Sequence, residues 1–562
     1  MNKYCTTKRL LLSALCLFTF LSLSAQPGWT RDAAKAVFTL KTFAPDGTLL
    51  GSSNGFFISE TGYAVSTYTP FVGASRAVVI DAQGKELQVE AMLGANELYD
   101  VAKFRVAGRK LPALGVSATH AGVGQTAWVL PYSLKKPAPI GGSVSKAETF
   151  QDSYAYYTIG AAMPANAVGC PLLNEQGEVI GIMQPSAQQG DVQSYALSAA
   201  FAADMNITGL SLNDAALRKT SIKMALPDQK DDALLMMFMA SSTLDSLAYA
   251  TVVEDFILQF PNAEEGYVNR AQLKANGLDF AAAARDMQQA ISVSETKDNA
   301  HFAYARMIYQ KEVFQSQVAY PDWTLDLAAS EAEAAYAQNP LPTYRHLLAQ
   351  IWFAQQKYDE ALAVYKQLST SDLRGAELFY ETARCYEQKG DTLEMLALLD
   401  SAVACYSKPY LKEAAPYLWA RGTARMNAGK YRLAVQDMNE YEKLMSASGL
   451  TADFYYIREQ AEMGGRQFQQ ALDDIHRATQ LSPGEAVYFA EQASVESRVG
   501  MYDAAILSAR ECIRLAPDYS DGYLLLGVAL CQKGQKAEGL PQLQKARELG
   551  NAQADALIQK FQ

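Results

Sequence analysis

Two hydrophobic patterns divide this chain. Between about residues 36 and 203, short β-branched and aromatic runs such as 37–41 and 126–130 alternate with turn sequences such as 45–47. Many short strands with frequent turns predict a barrel or a sandwich. From about residue 230 onward, alanine-rich helical segments recur and are often closed by proline. The pattern therefore predicts a multidomain protein whose N-terminal part is all-β and whose C-terminal part is all-α, with the polar stretch 209–229 as a linker.

The helical part, 230–562, repeats at a regular interval. Positions that would pack the second helix of each pair onto the first are spaced 34, 39, 37, 34 and 34 residues apart, at Ala361, Met395, Ala434, Ala471, Ala505 and Gly539. The matching first-helix positions are Ala349, Ala383, Gly422, Glu459, Ala493 and Gly527. Only Glu459 breaks the small-residue rule in this second set. The final stretch, 552–561, is expected to be a helix that caps the stack.

The N-terminus has the organisation of a secretory signal. Lys3, Lys8 and Arg9 precede an apolar run from 10 to 23, which is too short to span a bilayer comfortably. The small residues that follow predict a signal peptide of residues 1–25, cleaved after Ala25. No other apolar run is long enough for a membrane helix. We therefore expect an exported protein of a bacterium, located in the periplasm or cell envelope, or secreted.

The net charge and the cysteine content exclude some classes of partner and of structure. Without the signal segment the formal charge is 46 − 60 = −14, so the chain would repel phosphate backbones and nucleic acid is not an expected partner. Five sparse cysteines remain, which do not form a disulfide framework. The spacing of His301, His346 and His476 matches no metal site, and no phosphate loop or dinucleotide motif occurs. Neither a metal nor a cofactor is expected.

Three separated motifs carry the strongest signal. Residues 166–174 read N-A-V-G-C-P-L-L-N and are followed by E-V-I-G-I at 178–182; residues 55–69 read G-F-F-I-S-E-T-G-Y-A-V-S-T-Y-T; residues 100–106 read D-V-A-K-F-R-V. In this order they resemble chymotrypsin-fold serine peptidases of the bacterial secreted type. There the motifs read G-N-S-G-G-P-L-L-N, G-F-F-I-x-x-x-G-Y-x-V-T-N-x-H and D-L-A-V-L-K-V. The resemblance covers 30–208 and implies a trypsin-like domain of two β-barrels.

The residues that would perform the chemistry are mostly absent. In the register of the resemblance, the general-base histidine is replaced by Thr69, the carboxylate is retained as Asp100, and the nucleophilic serine is replaced by Val168. Valine has no hydroxyl, and a carboxylate without a base has nothing to orient. His120 is interpreted as a surface residue and Cys170 as a buried, inert thiol. We therefore predict no enzymatic activity from this domain.

The helical period near 34, with its pair of small residues, resembles the tetratricopeptide repeat. That resemblance implies a curved stack whose first helices line a groove for a peptide or protein. Candidate groove residues are Tyr267, Arg270, Lys274, Tyr344, Arg345, Arg384, Arg421, Arg425, Tyr455, Arg458 and Arg498. Arginines and tyrosines could grip an acidic or C-terminal peptide there. The alternative is that each residue merely packs between repeats or covers the helix surface.

Three hypotheses of function remain open. The first is an exported, non-catalytic scaffold or adaptor, in which a pseudoprotease barrel is joined to a solenoid that binds protein. The second is a secreted hydrolase with a non-standard active site, which a fluorophosphonate probe would label. The third is a structural component of a cell-envelope assembly, which would copurify with one stable partner.

Overall fold

The computed structural model describes residues 26–151, 153–186 and 192–562. The predicted signal peptide, 1–25, lies outside the described residues. The chain divides into two compact units, the first ending at Ser294 and the second beginning at Glu295.

The first unit contains two closed, six-stranded antiparallel barrels, which confirms the predicted two-barrel fold. Their strand orders are β1-β2-β3-β6-β5-β4 and β10-β11-β12-β9-β8-β7. The first barrel consists of β1 (Val37–Phe43), β2 (Leu49–Phe57), β3 (Tyr63–Ser66), β4 (Arg76–Ile80), β5 (Glu86–Asn96) and β6 (Val101–Val106). The second consists of β7 (Thr126–Val129), β8 (Ile140–Phe150), β9 (Tyr154–Ile159), β10 (Pro171–Leu173), β11 (Val179–Met183) and β12 (Ser194–Ser198). Short helices α1 (Thr30–Ala33) and α2 (Ala199–Asp204) flank them.

A separate apolar core joins the two barrels. Phe56 and Val65, from β2 and β3, lie in one buried cluster with Leu173 and Ile182 of the second barrel. Because successive side chains of a strand point to opposite faces, the same strands also fill the first barrel, for example with Phe57. The junction fixes β2 and β3 of the first barrel against β10 and β11 of the second.

The segment 209–229 is not the exposed linker that its polar composition predicts. Its residues Leu217, Ile222 and Leu226 are buried in the core of the first barrel. The segment is also tied to β5, because the Ala225 N–H donates to the Met92 carbonyl and the Met92 N–H donates to the Lys223 carbonyl, each at 2.9 Å. The apolar residues at 222, 224 and 226 alternate as in a strand, and this short pattern is hidden among polar neighbours.

Helical pairs follow this segment, as predicted. In the first unit they are α3 (Lys230–Thr243), α4 (Ser246–Gln259), α5 (Glu264–Asn276) and α6 (Phe280–Val293). In the second unit they are α7 (Asp298–Phe314), α8 (Leu325–Gln338), α9 (Pro342–Ala354), α10 (Tyr358–Leu368), α11 (Ala376–Gln388), α12 (Thr392–Ala404), α13 (Ala415–Asn427), α14 (Tyr431–Met445), α15 (Ala452–Gly464), α16 (Phe468–Leu481), α17 (Ala486–Arg498), α18 (Tyr502–Leu515), α19 (Ser520–Gln532), α20 (Lys536–Glu548) and α21 (Ala554–Phe561).

Small residues lie where the helices of a pair cross. At Gly527 of α19 and Gly539 of α20 the backbones come so close that a Cβ added to Gly539 would lie 2.8 Å from the Gly527 carbonyl oxygen. The predicted end segment is the helix α21, and its Ala554 and Ile558 are buried in a cluster with residues of α19 and α20. Among the described residues, none of the helices combines the length and the apolar character needed to cross a membrane.

Candidate functional site

The structure places Thr69 directly against Asp100. Thr69 follows β3, Asp100 precedes β6, and these two strands pair through Ser66 and Ala102. The Asp100 Oδ1 atom accepts two hydrogen bonds, from the Thr69 N–H at 2.6 Å and from the Thr69 hydroxyl at 2.8 Å. The carboxylate therefore faces position 69, as the resemblance implies. Its partner there is a hydroxyl, which is not a proton acceptor of the strength that an imidazole provides.

In the loop that contains Val168, two backbone N–H groups donate hydrogen bonds to carbonyl groups of the same loop. Residues Ala165–Ala167 form a 3₁₀ turn. In this turn the Ala167 N–H donates to the Pro164 carbonyl at 2.8 Å, and the Val168 N–H donates to the Ala165 carbonyl at 3.4 Å. Oxyanion stabilisation requires backbone N–H groups aimed at the oxygen that becomes charged. Two N–H groups of this loop are instead bonded inside the turn.

Strand β2 determines the position of this loop. The Asn54 side-chain amide donates to the Asn166 carbonyl at 2.9 Å and to the Val168 carbonyl at 3.4 Å. Gly169 has φ +79°, and a Cβ at this position would overlap the Asn54 carbonyl oxygen. The loop therefore lies against β2, whose neighbour β3 leads to Thr69.

The two other reactive residues of the barrels have the environments predicted for them. His120 is exposed, and its Nε2 atom lies 2.7 Å from the Ser153 carbonyl oxygen. Cys170 is fully buried, and desolvation raises the pKa of its thiol to about 12. A thiol with this pKa is protonated at neutral pH and is a poor nucleophile.

Three of the predicted groove arginines bind carboxylates of neighbouring helices. Each is bidentate to an aspartate 16 positions later, on the second helix of its own pair, with N···O distances of 2.7–3.0 Å. Each also binds a carboxylate of the preceding second helix, at 2.9, 3.0 and 2.5 Å respectively. The three sets are Arg270 with Asp286 and Glu254, Arg421 with Asp437 and Asp400, and Arg458 with Asp474 and Glu442. These arginines connect three helices each, so their guanidinium groups are engaged within the stack.

Other predicted groove residues also contact neighbouring groups of the chain, so their role as ligand contacts stays a prediction. Tyr344 is 2% exposed, and its hydroxyl donates to Asp298 at 2.9 Å. Arg458 is likewise buried, at 6% exposed. The remaining contacts are Tyr267 with the Pro261 carbonyl, Arg425 with Asp400 and Asp437, Arg345 with the Tyr336 ring, and Tyr455 with the Phe454 ring. Lys274, Arg384 and Arg498 are exposed.

The sequence position of an arginine distinguishes those that form ion pairs between helices from the exposed Arg384. Arg270, Arg421 and Arg458 each come immediately before the first-helix position that packs against the second helix, namely Ala271, Gly422 and Glu459. Arg384 instead comes immediately after Ala383. Two positions on a helix correspond to a rotation of about 200°. An arginine immediately before this first-helix position, with aspartate 16 positions later, thus indicates a structural ion pair.

A cavity of about 580 Å³ opens between α11, α12 and α13. Tyr380 and Trp419 line it, together with Arg384, Met395 and Asn427. Of these five residues, the sequence predicts only Arg384 as a binding residue, and it predicts Met395 as a packing position. Tyr380 and Trp419 each lie three residues before the small residue of their helix, so aromatic residues recur at one helical position in two successive first helices. That recurrence is the sequence feature that could have indicated the cavity.

Glu459 occupies the first-helix position where other repeats carry alanine or glycine. It is fully buried, and neither of its carboxylate oxygens has a hydrogen-bond partner among the described residues. Desolvation, and then the charges of Glu491 and Asp474, raise the pKa of Glu459 to about 8. Burial likewise raises the pKa of nearby Glu462. Both environments therefore favour the protonated carboxyl group.

The three histidines of the helical region each contact a glutamate. His301 Nδ1 lies 2.6 Å from Glu331, His476 Nε2 lies 3.3 Å from Glu496, and His346 contacts Glu381. The three contacts join three different pairs of helices. That the protein needs no metal stays a prediction.

Comparison with known proteins supports the two-part architecture. Residues 53–182 match the family model of the trypsin-like peptidase domain. The probable periplasmic serine endoprotease DegP-like of Halomonas elongata is 36% identical over 141 residues, covering 24% of this chain and 28% of that protein. A crystal structure of a protease from M. tuberculosis, in its active form, aligns with a TM-score of 0.29 and 19% identity, covering 33% of this chain and 85% of that one.

The helical region matches other proteins. The small glutamine-rich tetratricopeptide repeat-containing protein 2 of Mycosarcoma maydis is 30% identical over 87 residues, covering 16% of this chain and 25% of that protein. The Hsp70-Hsp90 organizing protein of Triticum aestivum is 23% identical over 235 residues, covering 39% of this chain and 35% of that protein. The chain thus spans a quarter to about a third of the length of these curated relatives. It joins a region that matches the trypsin-like peptidase domain to a helical region that fits tetratricopeptide repeats.

Proposed function

We propose that this protein is an exported, non-catalytic adaptor, in which an inactive peptidase-like barrel pair is joined to helical repeats that bind a protein or peptide. The observation that carries the proposal is the pair of hydrogen bonds from Thr69 to Asp100. The carboxylate that would orient a catalytic base is bonded to a side chain that cannot take the proton. A serine peptidase cannot activate its nucleophile without that base.

Two further features of the barrel support the same proposal. Position 168 supplies no nucleophile, and the Ala167 and Val168 N–H groups are bonded within the 3₁₀ turn. The thiol of Cys170 does not replace the missing serine, because it is buried with a pKa of about 12. The alternative of a hydrolase with a non-standard site therefore has no candidate nucleophile in this loop.

The binding role rests on the helical region. The Mycosarcoma maydis relative is named for tetratricopeptide repeats, and the Triticum aestivum relative is named as an organizing protein of Hsp70 and Hsp90. Helix stacks of this kind present extended surfaces that bind proteins. The Halomonas elongata relative of the barrel region is named as periplasmic. This name supports export, as does the signal-like N-terminus.

The double variant Thr69→His with Val168→Ser is expected to show no useful peptidase turnover. Restoring two side chains does not release the N–H groups of the turn, and loss of one oxyanion donor alone costs about 10²–10³ in kcat. Active-site titration with a fluorophosphonate probe and hydrolysis of casein would measure this. The single variant Val168→Ser is the control for non-specific labelling, and thermal unfolding establishes that each variant is folded. Stoichiometric labelling with sustained turnover would contradict the proposal.

Affinity capture with the full chain tests the binding role. The expected result is specific recovery of proteins that survive a salt wash and are competed by excess untagged chain. Recovery of one partner in a fixed ratio would favour a structural component of an envelope assembly over an adaptor. If nothing is recovered beyond the level of an unrelated acidic protein, the adaptor function is excluded.

A further inference from the structure

Arg384 differs from the arginines that connect the helices. Its side chain is exposed, and its guanidinium carbon lies 4.8 Å from the centre of the Phe353 ring. It forms no hydrogen bond or ion pair with the part of the chain that the structure describes. Arg421, in contrast, binds both Asp437 and Asp400.

The helix geometry explains why Arg384 lacks a carboxylate partner. The aspartate 16 positions later is Asp400, but this residue binds Arg421 at 3.0 Å and Arg425 at 2.7 Å. Because Arg384 follows Ala383, its side chain leaves α11 on a different face from that used by the connecting arginines. The guanidinium group is held in place by Phe353 while its N–H donors remain available.

The cavity beside Arg384 has an apolar wall and a polar rim. Tyr380, Met395, Leu399 and Trp419 provide aromatic and aliphatic surface, and Asn427 is an exposed amide at the rim. Arg384 also lines a second, smaller cavity of about 40 Å³ on the side of α9 and α10. It therefore lies at the junction of two adjacent hollows that run across successive first helices.

Two carboxylates lie near this junction, and neither pairs with Arg384. Glu381 contacts His346 and accepts a hydrogen bond from Gln350 at 2.7 Å. Glu387 lines the larger cavity, but it is not among the ion pairs formed by the described residues. The free cation is thus available to a carboxylate from outside the chain.

We propose that this junction binds an extended peptide in which a large aromatic or aliphatic side chain fills the cavity and an adjacent carboxylate binds Arg384. The inference rests on the proposed adaptor function and specifies its ligand. A volume of about 580 Å³ accommodates such a side chain with part of its backbone. Tryptophan, tyrosine and arginine are the residues that contribute most to interfaces of this kind. The Asn427 amide can pair with the backbone of the bound peptide.

Fluorescence anisotropy of labelled peptides with the full chain tests the site. One peptide carries Phe-Glu in its middle and has an amidated C-terminus; a second ends in Phe with a free carboxylate; a third carries Phe-Gln and is amidated. The first or the second is expected to bind about tenfold more tightly than the third, since a charge-assisted hydrogen bond contributes about this much. Preference for the first indicates a side-chain carboxylate, and preference for the second a chain terminus.

Matched variants locate the effect. Arg384→Gln is expected to abolish the preference for the carboxylate peptide. Met395→Trp, which fills the cavity, is expected to lower the affinity for all three peptides. Arg510→Gln, an exposed arginine of the second helix α18 that is not a groove candidate, is the control and should change nothing. The inference is overturned if no peptide binds, if all three bind equally, or if Arg384→Gln keeps the preference. If Arg384→Gln still recovers proteins in affinity capture, the adaptor function stands without this site.

Discussion

Replacing Arg458 with alanine is expected to lower the free energy of unfolding of the helical unit by about 3–5 kcal/mol, because it leaves buried carboxylates without their cation. Arg458 binds Asp474 through two hydrogen bonds of 2.7 and 2.8 Å and also binds Glu442. The guanidinium group and Asp474 are both almost inaccessible to solvent. Urea unfolding followed by circular dichroism would measure the change in the transition of the helical unit.

The matched control is Arg498→Ala. Arg498 is an exposed residue of the next first helix, and its replacement should change stability by no more than about 0.5 kcal/mol. A second variant, Arg458→Met with Asp474→Leu, replaces the pair by apolar side chains and should recover part of the loss. A loss of less than about 1 kcal/mol in Arg458→Ala would mean that the carboxylates find water or new partners, contrary to the burial argument.

The variant Glu459→Gln is expected to stabilise the helical unit, by an amount that grows with pH. The folded state raises the pKa of Glu459 from an ordinary value of 4.5 to about 8. Below the lower value the group is protonated in both states, so the substitution should have little pH-dependent effect. As pH rises toward 8 the unfolded chain loses the proton first, and the wild-type fold is progressively destabilised. The linked free energy is at most about 5 kcal/mol above pH 8.

The measurement is the midpoint of urea unfolding for wild type and variant at several pH values between 5 and 9. Glutamine is the suitable replacement because it has the shape of the protonated acid and carries no charge at any of these pH values. The exposed Glu538→Gln is the control and should alter stability equally at both ends of the range. A stability difference for Glu459→Gln that does not depend on pH would contradict the raised pKa.

Much of the barrel region could be read directly from the sequence. Three motifs in order indicated the two-barrel fold, and the chemistry missing at Thr69 and Val168 follows from residue type alone, since no conformation gives valine a hydroxyl. The period near 34 likewise indicated paired helices. The two fold inferences were confirmed because they depend on motifs and hydrophobic periodicity within short segments. The inference that the barrels lack catalytic chemistry stays a prediction.

The sequence interpretation was weaker where a residue's role depends on distant partners. The polar composition of 209–229 predicts a linker, but three apolar side chains of this segment complete the core of the first barrel. Most groove candidates form packing contacts or ion pairs within the chain. Their carboxylate partners lie on other helices, and a shift of two positions turns a side chain by about 200°.

The sequence by itself thus determined the two classes of fold, the repeat period and the residue types at positions 69 and 168. Only the tertiary structure decided that Asp100 binds Thr69, that Arg458 is buried while Arg384 is free, and that Glu459 is enclosed without a partner. The physical reason is that periodicity and side-chain chemistry are properties of a short segment. Burial and electrostatic pairing, in contrast, depend on groups that the fold brings together from far apart in the chain.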